Sequence, residues 1–212
     1  MVPHPTVGEI YADILRERGM IGDAERIEMR FRESLRQAQA KSPKAMLEPR
    51  GFWKAIVGEA ISGYCPENRL DDVFEALWKR FGEGRAWRLL DGAKATLGNL
   101  RASGFRLAVL SNNDSRLHGV LEDLGISSFL EQVFVSAELG HGKPDPGIFK
   151  CVEDAVQLPA SSLLHVGDDP VRDADAALKA GWNAILVTKE SGSGLRVGNL
   201  LEIPSLLSGV PA

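Results

Sequence analysis

Three aspartates stand close together directly after the apolar run 163–166. Asp168 and Asp169 are adjacent, and Asp173 follows within the same turn between a strand and a helix. Carboxylates this close repel one another unless a cation lies among them, and carboxylate oxygens are ligands that Mg²⁺ prefers. We therefore expect Mg²⁺ to lie among Asp168, Asp169 and Asp173. Asp169 has an alternative interpretation, because an aspartate before a proline is also a typical helix N-cap.

Groups suited to holding phosphate follow two earlier apolar runs. Ser111 and Asn112 come directly after residues 107–110, and Lys143 lies in the loop 140–146. A hydroxyl, an amide and neighbouring backbone N–H groups can hold phosphate oxygens, and a lysine ammonium supplies a point charge. Each residue alone also fits a turn. Together, at successive strand ends, they indicate a phosphate-binding site.

The elements that would position these residues follow Gly84. Short apolar runs alternate there with segments of helix length, which is typical of buried parallel strands. The runs are Leu107–Leu110, Val133–Val135, Leu163–Val166 and Ala184–Val187. In such sheets ligands bind at the carboxyl ends of the strands. From Gly192 onward we expect a loop with one helical turn near Leu206.

The residues before Gly84 show helical spacing instead. Thr6 and Glu9 form a capping-box pair, Asp23 can cap the next helix, and apolar stripes recur at intervals of three and four. We predict a helical domain over residues 1–84 and an α/β domain over 85–212.

Composition narrows the classes of partner. The 212 residues carry a net charge of −4, which gives no basic excess for binding nucleic acid. No apolar run of about 18 residues suggests a membrane span, and no signal peptide is visible. Cys65 and Cys151 lie far apart, as free thiols in a cytoplasmic protein would. The groups suited to holding phosphate, described above, favour a small phosphorylated molecule as the partner.

Three stretches in this order resemble the second, third and fourth motifs of the haloacid dehalogenase-like (HAD) hydrolase superfamily. They are Leu107–Asn112, Gly142–Phe149, and His165–Asp169 with Asp173. The resemblance implies an α/β fold, with a Rossmannoid parallel sheet and an all-helical cap. It also implies a Mg²⁺-dependent phosphatase acting through an aspartyl-phosphate. Asp168 would then ligate Mg²⁺ and Asp173 would orient its coordination shell.

The first motif of that superfamily is an apolar strand ending in Asp-x-Asp, whose first aspartate is the nucleophile. Here Asp-x-Asp occurs only at 173–175, inside the fourth motif. The resemblance places the first motif just upstream of Val2, and its strand between those ending at Asn112 and Asp168. We therefore expect these 212 residues to lack the central strand and the catalytic nucleophile, to be inactive or nearly so, and to bind Mg²⁺ weakly or not at all.

Two explanations stay open. In the first, the recorded start lies downstream of the real one. In the second, the protein is a catalytically silent interaction protein, and a strand from a partner takes the place of the missing central strand. The superfamily also includes metal-free 2-haloacid dehalogenases. The acidic cluster favours a phosphatase, because phosphoryl transfer needs a cation to offset charge. His141, beside Lys143, is a further candidate, whereas His165 in an apolar run is expected to be a buried, hydrogen-bonded histidine.

Overall fold

The computed structural model describes residues 1–41 and 47–209. The chain forms two compact units. The first, called the helical unit here, comprises residues 1–88 and 113–127, and the second, the α/β unit, comprises 89–112 and the residues from Ser128 onward. The helical unit thus extends past the predicted residues 1–84 and takes in a segment that the sequence assigned to the other domain.

The elements follow one another in chain order. They are β1 (Val2–Pro3), α1 (Val7–Glu17), α2 (Ala24–Lys41), α3 (Pro49–Ala60), α4 (Leu70–Phe81), β2 (Trp87–Arg88), α5 (Ala93–Ala102), β3 (Ala108–Ser111), α6 (Arg116–Asp123), β4 (Gln132–Val135), α7 (Ser136–Leu139), α8 (Pro146–Val156), β5 (Leu164–Gly167), a π-helical segment (Pro170–Asp175), α9 (Ala176–Lys179), β6 (Asn183–Val187), β7 (Arg196–Val197) and α10 (Ile203–Leu206).

The predicted starts of the first two helices are confirmed. The Thr6 side chain accepts the Glu9 N–H while the Glu9 carboxylate accepts the Thr6 N–H, which closes the capping box at α1. The Asp23 carboxylate accepts the Arg26 N–H at 3.1 Å at the start of α2. Both helices therefore begin where their side chains satisfy backbone donors that have no partner inside the helix.

The helical unit buries the apolar stripes that the spacing predicts. Ile10, Leu15, Ile27, Ile61 and Leu77 are each at most 1% exposed and belong to one cluster. Burying an aliphatic side chain of this size contributes about 1.5–3 kcal/mol. This cluster is the core of the unit.

Arg116 explains why residues 113–127 belong to the helical unit. Its guanidinium lies 3.4 Å from the centre of the Trp78 ring, and its Nη1 donates to the Trp78 carbonyl oxygen at 2.8 Å. At the other end of α6, the Asp123 carboxylate accepts the Gly84 N–H at 2.7 Å. These contacts connect residues 38 and 39 positions apart, which sequence spacing does not reveal.

The α/β unit contains parallel strands in two hydrogen-bonded groups. β3 pairs with β4, and β5 pairs with β6, which pairs with β7. Among the described strands no ladder joins β3 to β5. The predicted α/β fold class is confirmed, and the predicted strands lie within one residue of the observed ones. β7, with two residues, was not predicted.

Both faces of these strands are covered. Ala184 packs in a cluster with Phe149 of α8 and Trp182, whereas its neighbour Ile185 packs with Leu100 of α5. Successive residues of a strand point to opposite faces, so the two clusters lie on the two sides of β6. Within residues 1–41 and 47–209, no helix combines the length and apolar character that crossing a membrane requires.

Candidate functional site

Lys143 is the centre of a buried polar cluster in the α/β unit. Its Nζ donates to the carbonyl oxygen of Leu110 in β3 at 3.1 Å and to Asp173 Oδ1 at 2.6 Å. The Nε2 atom of His165 in β5 lies 3.3 Å from the same Nζ. The structure therefore brings the predicted phosphate-binding lysine and one predicted metal ligand into direct contact. We call Lys143, His165 and Asp173 the Lys143 cluster.

Asn112 fixes the backbone of Lys143. The Asn112 Oδ1 accepts the Lys143 N–H, and its Nδ2 donates to the Lys143 carbonyl oxygen, each at 2.7 Å. This reciprocal pair ties the loop to the end of β3. Binding of phosphate by Asn112 stays a prediction, and the structure gives its amide a positioning role as well.

Ser111 is the last residue of β3 and is partly exposed. Its hydroxyl makes no hydrogen bond with residues 1–41 or 47–209. Binding of phosphate by this hydroxyl stays a prediction.

Asp173 uses both of its carboxylate oxygens. Oδ1 contacts Lys143 and lies 3.1 Å from His165 Nε2, and Oδ2 accepts the backbone N–H groups of Asp168 and Asp169 at 3.1 and 3.0 Å. Burial alone would raise the pKa of Asp173, but the hydrogen bond with His165 and the charge of Lys143 outweigh burial and hold the pKa far below its ordinary value. Asp173 is therefore an anion that orients the turn carrying Asp168.

Asp169 and Asp168 differ although they are adjacent. Asp169 caps the π-helical segment, because its Oδ1 accepts the N–H groups of Val171 and Arg172 at 2.9 and 2.7 Å. Burial raises its pKa, but the hydrogen bonds from Arg172 more than offset this and lower it. The interpretation of Asp169 as an N-cap is confirmed. The Asp168 side chain is exposed and accepts no hydrogen bond from the described part of the chain.

These contacts limit how the chain could hold Mg²⁺. The described ranges contain no group of three or more His, Cys, Asp or Glu side chains placed to share an ion. Asp168 offers a carboxylate with no protein partner in those ranges, whereas Asp173 is already engaged. Mg²⁺ commonly takes one or two carboxylates and completes its shell with water and substrate phosphate. The donors fit an ion shared with a phosphate and do not form a closed protein cage.

His165 and His141 differ in their surroundings. His165 is 8% exposed and hydrogen-bonded, which confirms the sequence interpretation. Its contact with two predicted site residues was missed, because an isolated histidine in a strand does not indicate what it faces. The His141 Nδ1 lies 3.2 Å from Asp145 Oδ2, and the ring packs on Gly147, where a Cβ would come within 2.4 Å of Nδ1. His141 thus lies at the start of α8, close in sequence to Lys143.

Known proteins resemble this chain in sequence and in fold. Residues 3–181 match the family described as haloacid dehalogenase-like hydrolase. The haloacid dehalogenase-like hydrolase domain-containing protein 3 of Homo sapiens is 32% identical over 190 residues, which cover 87% of this chain and 75% of that protein. A phosphoserine phosphatase of Thermus thermophilus is 33% identical over 162 residues, or 72% of this chain and 64% of that protein. The structure of L-2-haloacid dehalogenase from Xanthobacter autotrophicus superposes with a TM-score of 0.72 at 17% identity, covering 96% of this chain and 94% of that one, and this likeness concerns the fold.

Proposed function

Because the chain belongs to the haloacid dehalogenase-like hydrolase family, we propose that it contributes the phosphate-binding and Mg²⁺-binding groups of a phosphatase for a small phosphate ester. The observation that carries the proposal is the fixed ammonium of Lys143, beside the end of β3 and in contact with His165 of β5. The similarity to a phosphoserine phosphatase supports a phosphate ester as substrate.

Each residue then has a defined task. Lys143 donates to a phosphate oxygen, and the Ser111 hydroxyl donates to another. Asp173 holds Lys143 and, through two backbone N–H groups, the turn that carries Asp168. Asp168 would hold Mg²⁺, which when bound offsets the negative charge of the phosphoryl group.

The nucleophile is the catalytic group that is hardest to identify among the 212 residues. Asp-x-Asp occurs in them only at Asp173 and Asp175, and Asp173 is engaged with Lys143. We propose that covalent catalysis needs a strand ending in a nucleophilic aspartate, as the family resemblance implies, and that the 212 residues alone are nearly inactive. A catalytically silent interaction protein is the alternative that this same observation favours.

The test compares the 212-residue chain with the same chain preceded by an apolar strand ending in Asp-x-Asp. We expect turnover of p-nitrophenyl phosphate only with the added strand, and only with Mg²⁺ present. In that extended chain, Lys143→Met should lower kcat by about 100- to 1000-fold, as removal of an oxyanion donor does elsewhere. Asp175→Asn, which changes an exposed carboxylate in the same segment, is the matched control and should have little effect.

Several outcomes would contradict the proposal. Full turnover in EDTA, or by Asp168→Asn, would remove the metal assignment. Turnover of 2-chloropropionate instead of a phosphate ester would make the protein a dehalogenase. A folded extended chain that turns over neither substrate would favour the silent interaction protein.

A further inference from the structure

Both main-chain polar groups of Lys143 depend on one side chain. Lys143 lies between α7 and α8, outside the strands, so no ladder supplies partners for its N–H and its carbonyl oxygen. Within residues 1–41 and 47–209, the hydrogen-bond partner of both groups is the Asn112 side chain, at 2.7 Å from each. A main-chain group that folding removes from water needs such a partner, so loss of Asn112 would release this part of the loop.

The Asn112 amide acts on Lys143 as a neighbouring strand would. A side-chain amide carries a carbonyl acceptor and an N–H donor, and strands pair through the same two groups of the peptide. β3 ends at Ser111, and Asn112 is the next residue. The Asn112 side chain therefore continues the pairing of β3 beyond its last residue, onto a residue 31 positions further along the chain.

The side chain of Lys143 returns to the same strand. Its Nζ donates to the carbonyl oxygen of Leu110, which is in β3, at 3.1 Å. The four-carbon stem of a lysine has many rotamers, and fixing one of them costs conformational entropy. Because the end of β3 holds both the main chain and the ammonium, the stem is confined between two fixed points. The contact of the Nζ with Asp173 at 2.6 Å restrains the ammonium further.

We propose that Asn112 is a positioning residue that governs phosphate binding through Lys143. By holding the Lys143 main chain, Asn112 fixes where the ammonium lies relative to the end of β3. Without Asn112 the ammonium would keep its charge but lose its place, and a hydrogen bond weakens steeply when its angle departs from the preferred range. The effect on phosphate rests on the proposed function, whereas the hold on Lys143 does not.

A direct role of Asn112 in phosphate binding predicts a different result. If Asn112 donated the second N–H of its Nδ2 to phosphate, its removal would weaken phosphate binding and leave Lys143 where it is. The two roles therefore differ in what happens to Lys143 in the absence of phosphate.

NMR of the 212-residue chain labelled with ¹⁵N in lysine tests the proposal, with inorganic phosphate as the probe. The label reports the main-chain N–H and the ammonium of Lys143, and Lys143→Met assigns both signals. In Asn112→Ala without phosphate, we expect both signals to shift and the main-chain N–H to exchange faster with water. We expect the dissociation constant of phosphate to rise about 10-fold, as for the loss of one hydrogen bond to a charged group.

Asn183→Ala is the matched control. The Asn183 Nδ2 also donates to main-chain carbonyl oxygens of the α/β unit, those of Ser161 and Leu163, at 3.0 and 3.2 Å. This variant should leave the Lys143 signals and the dissociation constant of phosphate unchanged.

A second measurement needs no variant, should Asn112→Ala fail to fold. In the unchanged chain labelled with ¹⁵N in asparagine and lysine, phosphate should shift the Lys143 ammonium signal and leave the side-chain N–H signals of Asn112 in place. A large shift of one Asn112 side-chain N–H would show direct binding and overturn the proposal.

The hold on Lys143 and the phosphate site are tested separately. Unchanged Lys143 signals in Asn112→Ala, or equal shifts in Asn183→Ala, would overturn the inference whatever the function is. Shifted Lys143 signals with an unchanged dissociation constant would confirm the hold on Lys143 and overturn its effect on phosphate. If the unchanged chain binds no phosphate, the proposed function fails, and the phosphate-free spectra still decide whether Asn112 holds Lys143.

Discussion

The helical unit and the Lys143 cluster of the α/β unit are stabilised by different kinds of contact. In the helical unit, apolar side chains such as Ile10, Leu15 and Ile27 are fully or almost fully buried against one another. In the Lys143 cluster, the buried groups are an ammonium, a carboxylate and an imidazole, and Lys143 lies 30 and 33 positions from Asp173 and Leu110.

This difference changes what a single substitution does. The free energy gained from apolar burial increases with the buried area, so truncating a side chain removes its contribution and leaves a cavity. A buried ion pair contributes little net free energy, but removing one partner leaves the other charge uncompensated. The stability of the helical core should therefore depend on side-chain size, and the stability of the Lys143 cluster on charge.

The largest expected effect is that of Asp173→Asn, which keeps the size and removes the charge. Because Lys143 would be left buried without its counter-charge, we expect the free energy of unfolding of the α/β unit to fall by about 3–5 kcal/mol. Native-state hydrogen exchange of the β5 and β6 amides measures this loss. The exposed Asp175→Asn should change it by no more than about 0.5 kcal/mol.

The double variant Lys143→Met/Asp173→Asn sharpens the same point. Since neither charge then lacks its partner, the double variant should be more stable than Asp173→Asn alone. A single variant as stable as the unchanged protein, or a double variant that loses the sum of both single effects, would mean that charge compensation does not stabilise the cluster.

Leu15→Ala tests the helical core by the same measurement. Leu15 is 0% exposed, so we expect a loss of about 2–5 kcal/mol, seen as lower protection of the α1 amides. Ile21, which is 90% exposed, is the control, and Ile21→Ala should have almost no effect. Equal losses for the two variants would contradict the burial argument.

Acid should weaken the α/β unit through Asp173. The pKa of Asp173 is lowered by folding, so the unfolded chain binds more protons as the pH falls below about 4, the ordinary aspartate pKa. The free energy of unfolding should then decrease with falling pH by up to about 1.4 kcal/mol per pH unit from this residue, with the full contribution present above that pH. Urea titrations at several pH values measure the slope. Asp173→Asn should reduce this dependence of the free energy of unfolding on pH. If the dependence is unchanged in the variant, other carboxylates cause it.

The smallest effects concern the helix caps, one in each unit. Thr6→Ala removes the cap of α1 and should cost about 1 kcal/mol, as should Asp169→Ala at the π-helical segment. Thr6→Ser and Asp169→Asn retain a capping oxygen and serve as matched controls. Thermal unfolding followed by circular dichroism compares each alanine variant with its control. If the controls lose as much stability as the alanine variants, the capping hydrogen bond is not the cause of the lost stability.

Much of the fold could be predicted because its signals are local. The capping box at Thr6, the cap at Asp23 and the apolar stripes all lie within a few residues of what they specify, and the structure confirms them. The strand runs were found within one residue, and the family match confirms the resemblance drawn from the three motifs. β1, β2 and β7 were missed, because a two-residue strand has no periodicity to detect.

The candidate site could be predicted only in part. Its residue types and their order at strand ends came from the sequence, and so did the interpretation of Asp169 as a cap. The sequence could not show that Asp173 pairs with Lys143, that Asn112 holds the Lys143 backbone, or that His165 joins them. It also placed residues 113–127 with the α/β domain, whereas Arg116 holds them to α4.

The sequence by itself determined most of the secondary structure, the family and the chemical groups available for a phosphate and a cation. The tertiary structure decided which of those groups neutralise one another and which, like Asp168, remain open to a ligand. The physical reason is distance along the chain. Periodicity and capping act over a few residues, whereas the charge and hydrogen bonding of Lys143 depend on side chains about 30 positions away, which only folding brings within 3 Å or so.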